Sequence, residues 1–76
     1  MKAFILINVR VGTVVQVVNH LQRVDQVREA TMTFGPYDVV AVMEADDVNQ
    51  LGRILADAVQ PIPGIEETLT CLAVDF

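Results

Sequence analysis

The chain has 76 residues, ten acidic against five basic, for a net charge of −5, and 53% of it is hydrophobic with three Phe, one Tyr and no Trp. So short a chain buries about 60% of the surface it exposes when unfolded, which predicts one small domain over residues 1–76 with an aliphatic core, and a second copy covering the apolar surplus. Five scattered cations argue against direct nucleic-acid binding, and neither a run of roughly 20 apolar residues nor a cleavable leader is visible.

Lys2 to Val9 reads as a strand, and its continuous apolarity predicts burial on both faces. Arg10, Val11 and Gly12 break it, and Thr13 is placed to cap a helix reaching Gln22 or Arg23. Val14, Val17, Val18 and Leu21 recur there at helical spacing, opposite Gln16, Asn19, His20 and Gln22. Valines are poor helix formers, so packing must hold this helix, and by pattern alone the run also suits a strand.

Val27 to Phe34 alternates as a second strand, with Arg28, Ala30, Met32 and Phe34 on one side and Val27, Glu29, Thr31 and Thr33 on the other. Phe34-Gly35-Pro36-Tyr37 then reverses the chain, because Gly frees the backbone and Pro fixes φ and removes a donor. A third strand follows from Asp38 to Glu44, short and β-branched enough for burial on both faces. Asp46 or Asp47 caps a second helix whose stripe is Val48, Leu51, Leu55, Ala58 and Val59. Pro61 and Pro63 stop it, and Gly64 opens a last strand from Ile65 to about Val74. In that strand Thr68, Thr70, Leu72 and Val74 share one face, and Leu69, Cys71 and Ala73 the other.

The order strand, helix, strand, strand, helix, strand predicts a ferredoxin-like α+β fold: a βαββαβ chain with a four-stranded antiparallel sheet and two helices on one face. The other face then needs a partner, most simply a second subunit's sheet.

Enzyme constellations are hard to find. His20 is the lone histidine and falls on the polar helix face, where a solvated side chain outweighs a base or ligand. Cys71 lies mid-strand without a neighbouring His or Lys, which favours a small hydrophobe over a nucleophile. As the only cysteine it excludes an internal disulfide and offers no metal cluster, which suits a reducing cytoplasm. Asp46 and Asp47 read as a cap, Glu66 and Glu67 as solvated. The isolated glycines make no phosphate loop, and no cofactor is implied.

Polar groups on or beside the sheet remain. Asp38 sits at the turn, and Thr68 and Thr70 lie two apart on one strand face. From chemistry alone, ordinary turn satisfaction and β propensity are the stronger explanation of them. The sharper reading is a grip on an amino acid, with the carboxylate taking the ammonium while hydroxyls and loop amides take the α-carboxylate.

Gly35-Pro36-Tyr37-Asp38-Val39-Val40, an amphipathic helix, and Ile62-Pro63-Gly64-Ile65-Glu66-Glu67-Thr68-Leu69-Thr70 together resemble the C-terminal effector-binding (RAM) domain of Lrp/AsnC, or feast/famine, transcriptional regulators. The family's G-x-x-D turn and P-G-I/V-x-x-T-x-T segment stand in order, and the resemblance covers nearly the whole chain. It implies a dimeric α+β barrel paired through the sheets, dimers assembled into rings such as octamers or decamers, and a small molecule, usually an amino acid, bound between dimers. Carried over by motif, the ligand-binding residues are Gly35, Tyr37, Asp38, Thr68 and Thr70, then Cys71 and Leu72 as pocket wall, with Thr31 and Val48 further out. Full-length regulators begin with a helix-turn-helix domain, whereas this chain begins at the first strand, so the resemblance is to the stand-alone form. Pro36 is not part of the motif and stiffens the turn.

These observations lead to a non-enzymatic amino-acid-sensing and oligomerisation module acting in transcriptional regulation. One competitor is a ligand-independent oligomerisation partner of full-length Lrp/AsnC regulators. The other is a small dimeric oxygenase or isomerase of the same fold, for which Asn8 is the only candidate in the cavity between sheet and helices.

Overall fold

The protein is described over residues 1–75 by a computed structural model. Its elements are β1 (Lys2–Val9), α1 (Val14–Leu21), β2 (Val27–Met32), β3 (Val39–Glu44), α2 (Val48–Ile54) and β4 (Ile65–Leu72), with a π-helical turn, Leu55–Val59, extending α2. The four strands form one antiparallel sheet in the order β2-β3-β1-β4, so β1 and β3 are central and β2 and β4 are edges. Each half places a helical crossover on the same face, which is the ferredoxin-like arrangement expected.

The core lies between sheet and helices. Ala3, Ile5 and Ile7 of β1 alternate inward and stand opposite Met43, Ala41 and Val39 of β3. Val17 and Leu21 of α1 close over them, joined by Leu51, Leu55, Val59 and Ile62. Each such aliphatic side chain contributes roughly 1.5–3 kcal/mol on burial, which outweighs the weak helix propensity of the α1 valines.

The prediction of strands buried on both faces holds for one face in this chain. Phe4 and Leu6 of β1, Val40 and Val42 of β3, and Leu69 of β4 line the helix-free side, where Phe4 is 37% and Leu69 51% exposed. This is the uncovered apolar face that the helix arrangement implied.

Several local expectations change. Val27 opposes Met43 while Glu29 opposes Val42, so a bulge at Arg28 puts Val27 on the same face as Ala30 and against the core, not with Glu29 and Thr31. Thr13 precedes α1 but makes no side-chain cap, because its hydroxyl donates instead to the Arg10 carbonyl at 2.6 Å. Asp47 is the cap of α2, its Oδ1 accepting from the Gln50 amide at 2.7 Å. Val48, counted in the apolar stripe, is exposed in the first turn of α2. The strand pairing of β4 ends at Leu72, although the Ala73 N–H still donates to the Lys2 carbonyl. Among the described residues no helix is long and apolar enough to cross a membrane.

Candidate functional site

The β2–β3 turn is closed at its base by Thr33. The Thr33 N–H donates to the Asp38 carbonyl at 2.9 Å, and its hydroxyl donates to the Tyr37 carbonyl at 2.7 Å. Gly35 and Pro36 stand in the exposed tip, whereas Tyr37 and Asp38 are half-buried beneath it. The Asp38 N–H donates to the Ile7 carbonyl, continuing the β3–β1 ladder. One residue further the backbone of β3 has turned away, and the Asp38 carboxylate takes its place: Oδ2 accepts from the Val9 N–H at 2.8 Å. The bland expectation for Asp38, satisfying amides near a turn, is therefore correct in kind, although the amide belongs to β1. The other carboxylate oxygen makes no hydrogen bond among the described residues.

Thr68, Thr70 and Leu72 oppose Ile7, Ile5 and Ala3, so all three lie on the helix-side face of β4, as the alternation predicted. Thr68 is half-buried; Thr70 and Leu72 are exposed. Neither threonine hydroxyl is hydrogen-bonded to another described residue. The bond from Ala73 to Lys2 sets the alternation of the β1–β4 ladder, which directs the amides of Leu69 and Cys71 at β1. The amides and carbonyls of Thr68 and Thr70 are thereby left on the open edge of the sheet, beside their own hydroxyls.

Cys71 opposes Phe4 on the helix-free face and is an exposed free thiol. It shares no wall with Leu72 within one subunit. Thr31 opposes Val40 on that same helix-free face, and Val48 lies beyond the opposite end of β3 from Asp38. Nor does one chain bring Asp38 to the threonines. The strand β1 separates them, so they stand about two strand spacings, roughly 10 Å, apart. Two open concavities lie elsewhere: one of about 500 Å³ lined by Gln26, Arg28, Glu44, Asp46 and Gln50, the other of about 390 Å³ along β2 from Gln22 to Thr31. Neither includes Asp38, Thr68 or Thr70.

The enzymatic candidate is placed unfavourably. Asn8 opposes Glu67, in the alternating set with Leu6 and Phe4, and so belongs to the face away from the helices. His20 is exposed in the last turn of α1. Among the described residues no group of three or more His, Cys, Asp or Glu is arranged to hold a metal ion. The residues that sequence reasoning missed are those that hold the Asp38 turn, Val9 and Thr33. A Thr four positions before Tyr37 is a recognisable turn signal; a partnership between Val9 and Asp38, 29 residues apart, is not.

The strand order and the one-sided helices define the class: a ferredoxin-like α+β domain with an open sheet face and unpaired polar groups at one edge and one turn. Comparison with known proteins makes this specific. The family profile described as the Lrp/AsnC ligand binding domain matches residues 2–75, and the chain belongs to that family, whose members are transcriptional regulators rather than enzymes. It is 35% identical over 72 residues to the HTH-type transcriptional regulator FL11 of Pyrococcus abyssi, covering 95% of this chain and 47% of that protein. The chain thus spans about half the length of the curated relatives it matches. TTHA0845 of Thermus thermophilus superposes with a TM-score of 0.92 at 32% identity, covering 99% of this chain and 94% of that one. The transcriptional regulator NMB0573 of Neisseria meningitidis, solved as a complex with L-Met, shares the fold at 14% identity and a TM-score of 0.88, covering 97% and 49%.

Proposed function

We propose that this chain is a small-molecule sensing and oligomerisation module of the Lrp/AsnC type, with an amino acid as its effector. The observation that carries the reading is that both motif segments end in unpaired polar groups which one chain cannot bring together. The second Asp38 oxygen lacks a protein partner among the described residues, and the Thr68 and Thr70 hydroxyls and edge amides lack them too. A site of this kind is completed by a neighbouring copy. A carboxylate from one subunit suits an ammonium, and hydroxyls with strand-edge amides from another suit an α-carboxylate. The open apolar sheet face supports the assembly that this requires, by pairing subunits face to face into dimers that then build a ring. The L-Met complex of NMB0573 supports an amino acid as the ligand class.

The mechanism is linkage. An effector held between copies binds one assembly better than another and shifts the population between them. Regulation follows if the same surfaces engage full-length regulators carrying DNA-binding domains.

The test is thermal unfolding of the purified chain against each of the twenty amino acids at millimolar concentration, alongside its sedimentation profile. A ligand at about a hundred times its Kd adds roughly 2.7 kcal/mol per site. In a domain this small that raises the midpoint by about 10–20 °C. One selective shift accompanied by a change in assembly is the expected result. Twenty flat curves with an intact oligomer refute the sensor and leave a ligand-independent assembly partner, a reading that the open sheet face also favours.

A further inference from the structure

The larger of the two concavities lies at the end of the sheet away from Asp38, where β2 starts, β3 ends and α2 begins. Its polar lining is placed by the backbone around it. The Glu44 N–H donates to the Gln26 carbonyl at 2.9 Å, carrying the β2–β3 ladder one pair past Val27 and Met43. Arg28 is the extra residue of the β2 bulge, and its Nη1 donates to the Asp25 carbonyl at 3.0 Å, which draws the guanidinium back toward the start of the strand. From α2, Gln50 Oε1 accepts from the Asp46 N–H at 2.5 Å, and the Gln50 N–H donates to Asp47 Oδ1 at 2.7 Å. With its oxygen engaged, Gln50 has its NH2 group left to offer the concavity.

Opposite charges line this space without meeting. Among the described residues the one ion pair is a loose contact of 3.9 Å between the Met1 ammonium and Glu44. Arg28 pairs with no carboxylate among them, although Glu44 and Asp46 line the same concavity. Its one bond, to a carbonyl, leaves the rest of the guanidinium fork open. A ligand carrying a carboxylate and an ammonium a few bonds apart engages both sets at once. Guanidinium and amide donate to the carboxylate, while the acidic side chains accept from the ammonium. A lone anion or a lone cation satisfies one set and sits beside like charge of the other. The volume of about 500 Å³ holds a small amino acid with bridging water, and apart from Met1 the lining has no large apolar side chain to favour an aliphatic one.

We propose that this concavity is a second small-molecule site, contained within one chain, for the zwitterionic head of an amino acid with a small or polar side chain. Arg28 and the Gln50 amide hold its carboxylate, and Asp46 and Glu44 its ammonium. The site stands apart from the Asp38 turn and from β4, and it does not depend on the reading given above for them.

The experiment is a titration of the intact chain with glycine, L-serine and L-glutamine, followed by amide TROSY spectra. Ligand is taken to about 20 mM, which loads a site of Kd near 1 mM. The expected result is saturable shifts at the amides of Gln26, Arg28, Glu44 and Asp46 and at the Gln50 side-chain NH2. Arg28→Gln, at an exposed position, should weaken the binding about tenfold or more, since it removes a charged donor, and Arg28→Lys should fall between. Glu44→Gln is the matching change at the ammonium end and should weaken it likewise. Acetate or ethylamine alone should leave these signals unsaturated over the same range. No saturable shift at these residues, equal affinity in Arg28→Gln, or acetate binding as well as glycine each overturns the proposal. Shifts at Val9, Thr33, Asp38, Thr68 and Thr70 report the site between copies instead, so either site can fail while the other stands.

Discussion

Replacing Asp38 separates two roles that one side chain holds. Asp38→Ala removes the acceptor of the partly buried Val9 N–H as well as the charge. A donor left unsatisfied costs about 1–3 kcal/mol, which in a domain of this size lowers the unfolding midpoint by roughly 4–24 °C. Asp38→Asn keeps an amide oxygen within reach of Val9 and removes only the negative charge, so its midpoint should fall much less. Both variants should lose the amino-acid-induced shift, because a neutral amide offers an ammonium far less than a carboxylate does. Circular dichroism melts of the three proteins, with and without the amino acid that stabilises wild type, read both effects together. If Asp38→Asn retains the full ligand shift, Asp38 is not the ammonium partner. If Asp38→Ala melts with wild type, the bond to Val9 contributes nothing, and the turn is held by Thr33 alone.

Two further outcomes are expected elsewhere in the fold. Gly64→Ala should destabilise by about 2 kcal/mol or more, since its Cβ meets Thr13 as well as an unfavourable φ, whereas Gly12→Ala, with φ of +86° but open space around it, should cost only about 1 kcal/mol; urea titrations of the two compare them directly. Leu69→Lys puts a charge on the exposed helix-free face and should shift sedimentation toward smaller species at unchanged secondary structure, and an unaltered profile would exclude that face as the interface.

Most of the fold is legible in the chain because its signals are local. β1 and β3 are short β-branched runs, the α2 stripe repeats at helical spacing, and Pro61 and Pro63 stop the helical segment within a few residues. Even α1, ambiguous as a Val-rich run, follows from the alternation of strands and crossovers around it. The two motif segments were likewise visible, as was the shared face of Thr68 and Thr70. What pattern could not supply are the two bulges. Each inserts one residue, at Arg28 and at Glu66, and reverses the inside-out reading of everything on one side of it.

By itself, then, the sequence determined the order and type of the elements, the aliphatic core and the identity of the polar groups at the turn and the last strand. These follow from side-chain volume, periodicity and turn chemistry, all of which act over a few residues. Only the tertiary structure decided that Asp38 completes the hydrogen bonding of β1, that Arg10, Thr13 and Gly64 meet just before the β4 bulge, and that Cys71 and Leu72 belong to opposite faces. Those outcomes depend on groups up to 54 residues apart, as Arg10 and Gly64 are, meeting through hydrogen bonds and excluded volume that no local pattern encodes.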